Sequence, residues 1–302
     1  MAGIVALLPI SGWIGGQIWL LDLCNHFQAQ YFGFLSLLVL WLVIRRQFRA
    51  AAIPSLLALI PGVRLAELWF PRVPLKPQTL QVTTFNVYGG NNRYETTVTW
   101  AIEEGSDFLY FAEATPEWIA ELSKLDEAYP YSIDHPLNGS FGFAFRSKHP
   151  FHLTDIQSVG RLALPLLDTV IQTPSGEIRV LGAHPVPPAT RFWADERDAY
   201  LAELRERAAR SNLPTVIVGD LNATRWSHAM TGFWEDGYID SARGHGFSAT
   251  WSRENPILAV PIDHILTRGL GPCVLRSTGP KLGSDHRPVT AGFDFRPARE
   301  TD

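Results

Sequence analysis

Cysteine is nearly absent from this chain of 302 residues, which contains only Cys24 and Cys273. A scaffold held together by disulfide bonds is therefore excluded, because such scaffolds need several paired cysteines. The two cysteines lie in different parts of the chain, so we do not expect them to pair. Net charge is also small, at −4, while 46% of the residues are hydrophobic. These values exclude an intrinsically disordered protein, whose composition is poor in apolar residues and rich in charge of one sign.

Charged residues are scarce in the first quarter of the sequence. Residues 1–75 contain five basic and two acidic residues, for a net charge of +3. The other 21 basic and 28 acidic residues lie in 76–302, for a net charge of −7. The mean hydropathy of +0.01 is therefore the average of an apolar segment and a segment of ordinary globular composition.

Three long apolar runs fill the first segment: Ile4–Leu23, Phe27–Ile44 and Ala50–Phe70. A helix needs about 20 apolar residues to cross a bilayer. Any single run could be a buried helix of a soluble protein, and the third is the weakest candidate because prolines and charges interrupt it. Three in tandem predict a membrane anchor of about three transmembrane helices over residues 1–72, followed by a proline-rich linker over 73–79. A cleaved signal peptide fits poorly, because no basic residue precedes the first run and two more runs follow it.

The orientation of this anchor is predicted from Arg45, Arg46 and Arg49, which lie between the second and third runs. Loops rich in Lys and Arg remain in the cytoplasm. With three crossings, the rest of the chain would lie on the extracytoplasmic side of the cytoplasmic (inner) membrane. If the third run only lies in the membrane interface, that part would be cytoplasmic instead.

From Leu80 onward, short β-rich runs alternate with amphipathic helical patterns, which indicates one α/β domain over residues 80–297. The predicted strands are Leu80–Val87, Phe108–Ala112, Phe141–Phe145, Leu166–Gln172, Ile178–Ala183, Thr215–Val218, Ile262–Thr267 and Val289–Phe295. The predicted helices are Tyr94–Glu104, Pro116–Leu125 and Trp193–Arg210.

Polar side chains able to bind metals lie at or just beyond the ends of these strands, where a rigid sheet can hold them in place. They are Asn86, Glu113, His184, Asp220, Asn222, Asp263, Asp285 and His286. Each alone has a purely structural interpretation: Asn86 and the Asp220–Asn222 segment could form turns, Glu113 could be a solvated carboxylate, and His184 could cap a strand.

Two local patterns are more specific. Gly219-Asp-Leu-Asn222 follows a buried strand and suits a phosphate–metal site, and Ser284-Asp-His-Arg-Pro288 places a carboxylate beside an imidazole. An adjacent Asp can orient a histidine and raise its basicity. Asp263 lies within an apolar run, where an unpaired charge is costly, so a cation or a histidine partner is expected.

The ordered series of strand–Asn, strand–Glu, strand–His, Gly-Asp-x-Asn, Ile-Asp-His and Ser-Asp-His-x-Pro resembles the endonuclease/exonuclease/phosphatase superfamily over roughly residues 79–296. The resemblance implies the DNase I-like fold, a four-layer α/β sandwich in which two packed mixed β-sheets are flanked by helices. It also implies Mg²⁺-dependent cleavage of phosphoester bonds, with Mn²⁺ as an alternative metal. Oxygen ligands with retained waters suit either ion.

The resemblance also implies a role for each matching residue. Glu113 would hold the divalent cation with help from Asn86, and Asp285 is a further candidate ligand. Asp220 and Asn222 would position the phosphate and the attacking water.

Two histidines complete the implied catalytic set. His286 would act as general base or otherwise assist the attack, oriented by either Asp263 or Asp285. His184 would be a general acid near the leaving oxygen.

The family includes nucleases, sphingomyelinases, inositol-phosphate phosphatases and lipid phosphatases, so the fold does not select a substrate. DNA binding depends largely on Lys and Arg contacts to phosphates, and the net charge of −7 argues against a dedicated nuclease. An anchored site meets lipid head groups at high effective concentration. The anchor also resembles that of bacterial membrane-bound members that act on polyprenyl pyrophosphate carriers.

We therefore expect a membrane-anchored phosphohydrolase acting on a phospholipid or a polyprenyl phosphate or pyrophosphate. The alternatives are an extracytoplasmic phosphodiesterase or nuclease, and a catalytically silent binding protein. Two segments, Val159–Leu167 and Pro185–Trp193, could reach a membrane surface or could be plain core and loop.

Overall fold

The computed structural model describes residues 18–70, 77–252, 255 and 257–296. Most of the first apolar run and residues 73–76 of the predicted linker lie outside these ranges. Where the predicted runs can be compared with the structure, they form helices: α1 (Trp19–Asn25), α2 (Gln28–Ile44) and α3 (Phe48–Trp69).

Within the described ranges, α3 is by length and composition the one helix able to cross a membrane by itself. Helices α1 and α2 meet the same criteria only as a pair, and a bend of 64° separates them. The third apolar run, which contains Pro54 and Pro61, forms this continuous helix of 22 residues. The number of crossings stays a prediction.

Helices α2 and α3 form a hairpin with an apolar outer surface. Leu37, Ile53 and Leu56 each expose 68–70% of their surface. The start of α2 contacts the rest of the chain, because the Gln30 side chain donates to the Ala259 carbonyl at 2.7 Å. The turn that contains Arg45 lies one helix length away from that contact, about 25 Å for 17 residues.

The described residues form twelve strands, which are arranged in two six-stranded sheets. The first contains β1 (Leu80–Asn86), β2 (Phe108–Ala112), β3 (Tyr131–His135), β4 (Phe143–Ser147), β11 (Cys273–Thr278) and β12 (Val289–Phe293). The second contains β5 (Phe151–Val159), β6 (Leu164–Thr173), β7 (Gly176–Ala183), β8 (Thr215–Asp220), β9 (Ile239–Asp240) and β10 (Asp263–Arg268). Their orders are β11-β12-β1-β2-β4-β3 and β5-β6-β7-β8-β10-β9. Both sheets are mixed, since β1–β2 and β7–β8 are parallel pairs.

The two sheets pack face to face through a core that includes Tyr110, Phe145 and Val180. Helices α4 (Tyr94–Glu104) and α5 (Pro116–Leu122) cover the outer face of the first sheet, where Trp118 is fully buried. Helix α6 (Arg191–Ala208) covers the second sheet through residues such as Leu204. A short helix, α7 (Thr231–Glu235), follows β8 along the chain. The predicted four-layer α/β sandwich is confirmed.

Four strands, β3, β5, β9 and β11, have no counterpart in the sequence prediction. They lie at or next to the sheet edges, and β5 is exposed along most of its length. An edge strand with polar residues on both faces has no apolar alternation to reveal it. The segment Val159–Leu167 joins β5 to β6, and Leu166 and Leu167 are fully buried. Residues 160–163 between the two strands form an exposed turn. The segment is thus core at its ends and loop in its middle, and its contact with a membrane stays a prediction.

Only glycine fits at position 219, near the end of β8. Its φ is +141°, and a Cβ there would lie 1.9 Å from the Ala183 carbonyl oxygen of β7. We expect Gly219→Ala to lower the free energy of unfolding by about 3 kcal/mol, the upper end for a forced backbone conformation. Gly237→Ala is the matched control, because φ is +82° there but no atom lies within 4 Å. Denaturant titration would contradict the account if both variants lost equal stability.

Candidate functional site

The two sheets bring six of the eight predicted site residues together, three from each sheet. Asn86 ends β1 and pairs in register with Ala112, which places Glu113 beside it on the next strand. Asp263 begins β10 directly opposite Asp220 at the end of β8. The remaining two members are His184, which follows β7, and His286, which precedes β12.

His286 is oriented by Asp263. Its Nδ1 lies 2.9 Å from Asp263 Oδ2, and both residues are buried. The Ser284 hydroxyl accepts a hydrogen bond from the His286 backbone N–H and donates to the Asn86 carbonyl, which fixes the loop against β1. Of the two carboxylates that the sequence left open, Asp263 is the partner.

The protonation state of His286 follows from its two acidic neighbours. Burial alone would lower its pKa, but the charges of Asp263 and Asp220 outweigh burial and raise the pKa to about 10. The imidazole is therefore positively charged at neutral pH. Its Nε2 lies 3.6 Å from Asp220 Oδ2, so the cation bridges the two carboxylates. Of the two roles considered for His286, this charge favours assisting the attack over acting as a general base.

Asp220 lies at the centre of the cluster. Its Oδ2 accepts a hydrogen bond from the Asn86 side-chain amide at 3.1 Å and lies 3.4 Å from His184 Nε2. Burial would raise the pKa of Asp220, but the charge of His286 and the hydrogen bond with His184 lower it to about 2. For His184, the Asp220 hydrogen bond and charge outweigh burial and raise the pKa. Asp220 is thus ionised, and His184 holds its proton more tightly than a free histidine.

Glu113 lies on the first-sheet side of the cluster. One carboxylate oxygen accepts from the Asn86 amide at 3.0 Å, and the other accepts from the Gly89 backbone N–H at 3.2 Å. Its φ of +61° is a left-handed conformation, as is the +48° of Asn222. Such conformations cost about 1–3 kcal/mol each and persist at sites where the surroundings impose them.

Asn222 stabilises the loop after β8 through its hydrogen bonds. Its backbone N–H donates to Asp220 Oδ1 at 2.9 Å, and its side-chain amide donates to the Pro185 carbonyl at 2.9 Å. The turn considered from the sequence is therefore present. Asp220 serves the turn with one oxygen and the histidines with the other.

Asp285 has a different partner from the one considered. Its Oδ2 accepts a hydrogen bond from the Trp251 indole at 2.9 Å, and the Trp251 ring lies 6.5 Å from the His286 ring. Sequence reasoning missed Trp251, because no local pattern distinguishes it from a core aromatic residue. It also missed Arg197 on α6, whose guanidinium donates to the Asn222 carbonyl at 3.2 Å.

The residues present fit a divalent cation. Carboxylate oxygens of Asp220 and Asp263 lie within 4.8 Å of each other, and Asp263 Oδ1 is buried with no hydrogen-bond partner. The protonated His286 beside them has no free lone pair for a metal. The Glu113 carboxylate accepts hydrogen bonds from two neutral groups, the Asn86 amide and the Gly89 backbone N–H. It forms no ion pair with a Lys or Arg among the described residues. Carboxylate oxygens of this kind suit Mg²⁺ and Mn²⁺. Metal binding by Glu113, Asn86 and Asp285 stays a prediction.

The raised pKa of His286 predicts how stability depends on pH. A histidine whose pKa rises on folding stabilises the fold fully below its unfolded value, roughly 6.5. That contribution is lost as the pH rises through about 10. We expect the free energy of unfolding to fall over this interval by a few kcal/mol in the wild type and by clearly less in His286→Ala. Denaturant titrations in chelator would contradict this if the two slopes were equal.

Comparisons with known proteins agree with this geometry. A profile of the Endonuclease/Exonuclease/phosphatase family matches residues 83–286, about two thirds of the chain. No curated protein sequence matches it.

Solved structures show the same fold at low sequence identity. A family protein from Beutenbergia cavernae superposes with a TM-score of 0.61 and 17% identity, covering 73% of this chain and 72% of that one. A D. rerio TDP2 complexed with a single-strand DNA product gives 0.60 and 16%, covering 71% and 98%. A mannosyl-6-phosphatase from Bacteroides thetaiotaomicron gives 0.54 and 15%, covering 72% and 100%. With the matched profile and the clustered strand-end residues, the chain belongs to the endonuclease/exonuclease/phosphatase family.

Proposed function

We propose that this protein is a membrane-anchored hydrolase, dependent on Mg²⁺ or Mn²⁺, that cleaves a phosphoester or pyrophosphate bond of a lipid-linked substrate. The observation that carries the proposal is the position of the catalytic cluster. Asp220, beside the Asp263–His286 pair, ends β8, and the loop that follows it contacts Asp22 of α1 through Ser227 and His228. Helix α1 leads into a hairpin with an apolar outer surface.

The side chains of the cluster have complementary charges for phosphoryl transfer. Ionised Asp220 orients the attacking water and accepts its proton, and the His286 imidazolium stabilises negative charge on the phosphoryl oxygens. His184 donates a proton to the leaving oxygen. Glu113 and Asn86 would hold the cation, which supplies Lewis-acid polarisation of the phosphoryl group when bound.

The hairpin supports attachment to a bilayer. Its 22-residue second helix is about 33 Å long, enough for a hydrocarbon core of about 30 Å. Large apolar patches exposed to solvent are rare on soluble monomers. The arginine-rich turn lies at the end of the hairpin away from the site. By the positive-inside rule, this position supports an extracytoplasmic location of the catalytic domain.

A second candidate function is phosphodiester cleavage on the extracytoplasmic side, with a nucleic acid or another diester as substrate. The buried His184 favours it, because an alkoxide leaving group needs a proton more than a phosphate does. The net charge of −7 outside the N-terminal segment is unfavourable for nucleic acids.

One assay separates these functions. The full chain in lipid nanodiscs with Mg²⁺ is given farnesyl pyrophosphate, sphingomyelin, bis(4-nitrophenyl) phosphate and DNA, beside Glu113→Ala and His286→Ala. We expect turnover of a lipid-linked phosphate that requires the metal and is lost in both variants. Turnover of DNA alone would support the second candidate, and no turnover, or equal turnover by the variants, would reject an enzymatic function.

The topology needs its own test. Protease added to intact spheroplasts should digest the catalytic domain, and protection of that domain would contradict the extracytoplasmic placement.

A further inference from the structure

An apolar cavity of about 380 Å³ lies between α1 and the catalytic domain. Leu23 and Phe27 line it from the N-terminal side, and Pro188, Ala189 and Val260 line it from the domain. Its volume lies within the range of small-molecule sites, about 300–1,000 Å³. Because the wall belongs partly to α1, the cavity exists only when the N-terminal helices are docked.

The cavity adjoins the catalytic cluster. Asn222 lines it, and the Asn222 backbone N–H is hydrogen-bonded to Asp220. Trp251 also lines it, and its ring lies beside His286. A molecule in the cavity therefore has one end next to the groups that handle the phosphate.

The chemistry of the walls selects the occupant. Apolar walls bind water poorly and offer few partners to a sugar or a base. The α2–α3 hairpin continues the same apolar character, with Leu37 and Ile53 exposed on its surface. We propose that the cavity holds the hydrocarbon chain next to the phosphate of a single-chain lipid substrate, so that α1 forms part of the substrate site. This inference rests on the proposed hydrolase activity and adds the site that recognises the chain.

Polar contacts hold α1 against the catalytic domain and so keep this wall of the cavity in place. Asp22 of α1 is buried and forms an ion pair with Arg197 of α6 at 3.2 Å. The same carboxylate accepts hydrogen bonds from the Ser227 hydroxyl and the His228 backbone N–H, both at 2.7 Å. The cavity wall is therefore fixed by polar contacts outside the cavity.

The test varies chain length at a constant reacting group. Wild type and variants in identical nanodiscs are given dimethylallyl, geranyl and farnesyl pyrophosphate, and the gain in kcat/KM from the shortest to the longest is compared. Each buried methylene favours binding, so we expect a wild-type gain of about ten-fold or more. Ala189→Trp fills the cavity from an exposed loop position and should remove most of that gain.

The matched control is Ala202→Trp, an exposed position on α6 that does not line the cavity. Partitioning of longer chains into the bilayer is the same for both variants, so only occupation of the cavity separates them. Equal chain-length gains in the two variants would overturn the cavity assignment while leaving the hydrolase intact. Absence of turnover of all three pyrophosphates would instead reject the lipid-linked substrate of the proposed function.

Photolabelling tests occupation of the cavity without turnover. A farnesyl phosphate analogue with a photoreactive diazirine on its chain is irradiated with the full-length protein, and the labelled peptides are identified. We expect labels on Trp19–Phe27 and on Pro187–Ala189, and their loss in Ala189→Trp. Labels confined to the outer surfaces of α2 and α3 would overturn the proposal.

Discussion

Replacing Asp263 by asparagine is expected to lower kcat for bis(4-nitrophenyl) phosphate by about 10³–10⁴-fold, the loss typical when the carboxylate that orients a catalytic histidine becomes an amide. Asp263 holds His286 Nδ1 at 2.9 Å and helps to raise the pKa of His286 to about 10. An amide keeps the shape but removes the negative charge. The imidazolium beside Asp220 would then lose the carboxylate that raises its pKa most.

Asp285→Asn is the control for this prediction, since Asp285 is the other carboxylate that could have paired with His286. Its carboxylate accepts from Trp251 instead. We expect a smaller loss than from Asp263→Asn, because an asparagine oxygen can still accept the Trp251 hydrogen bond and the Asp263–His286 pair is unchanged. Thermal unfolding of both variants shows whether each is folded. A larger loss from Asp285→Asn than from Asp263→Asn would contradict the assigned pairing.

Removing Asp22 should cost about 3 kcal/mol of stability, because breaking a buried ion pair strands the other charge. Arg197 is 1% exposed and pairs with Asp22 at 3.2 Å, while Asp198 supplies a second, partly compensating carboxylate. The Arg197 guanidinium also bonds to the Asn222 carbonyl, so the loop beside Asp220 should loosen as well. The measurement is the thermal unfolding midpoint of Asp22→Ala in detergent micelles.

Glu67→Ala is the matched control for Asp22→Ala. Glu67 also lies in the N-terminal helices and also pairs with an arginine of the domain, Arg225, at 3.0 Å. Its side chain is 59% exposed, and exposed pairs contribute about 0–1 kcal/mol. Equal destabilisation by the two variants would show that docking of α1 does not depend on the buried pair.

The sandwich and most members of the site could be predicted from sequence because the strands that position them are buried. Phe108–Ala112 is a continuous apolar run, and its bounds were predicted correctly. Glu113 follows directly at the carboxyl end of this strand, where its half-buried side chain lies beside Asn86. Strand order then brings Asn86, Glu113 and His286 of one sheet to Asp220 and Asp263 of the other.

Contacts between distant segments could not be predicted in this way. Asp263 and Asp285 are equally plausible partners for His286 in sequence, and only the β8–β10 register opposite Asp220 separates them. The docking of α1 is another example. Asp22 lies within an apolar run, and only the fold shows that this charge is neutralised by Arg197.

The central claim is that the strand-end cluster cleaves a lipid-linked phosphate with the help of a divalent cation. It is tested most directly by phosphate release from farnesyl pyrophosphate by the full chain in nanodiscs, with Mg²⁺, with excess chelator, and with the Asp263→Asn variant in Mg²⁺. The account predicts release that stops in chelator, returns when Mg²⁺ or Mn²⁺ is added, and is nearly abolished by the variant. Release that persists in chelator, or that the variant retains at the wild-type rate, would contradict it.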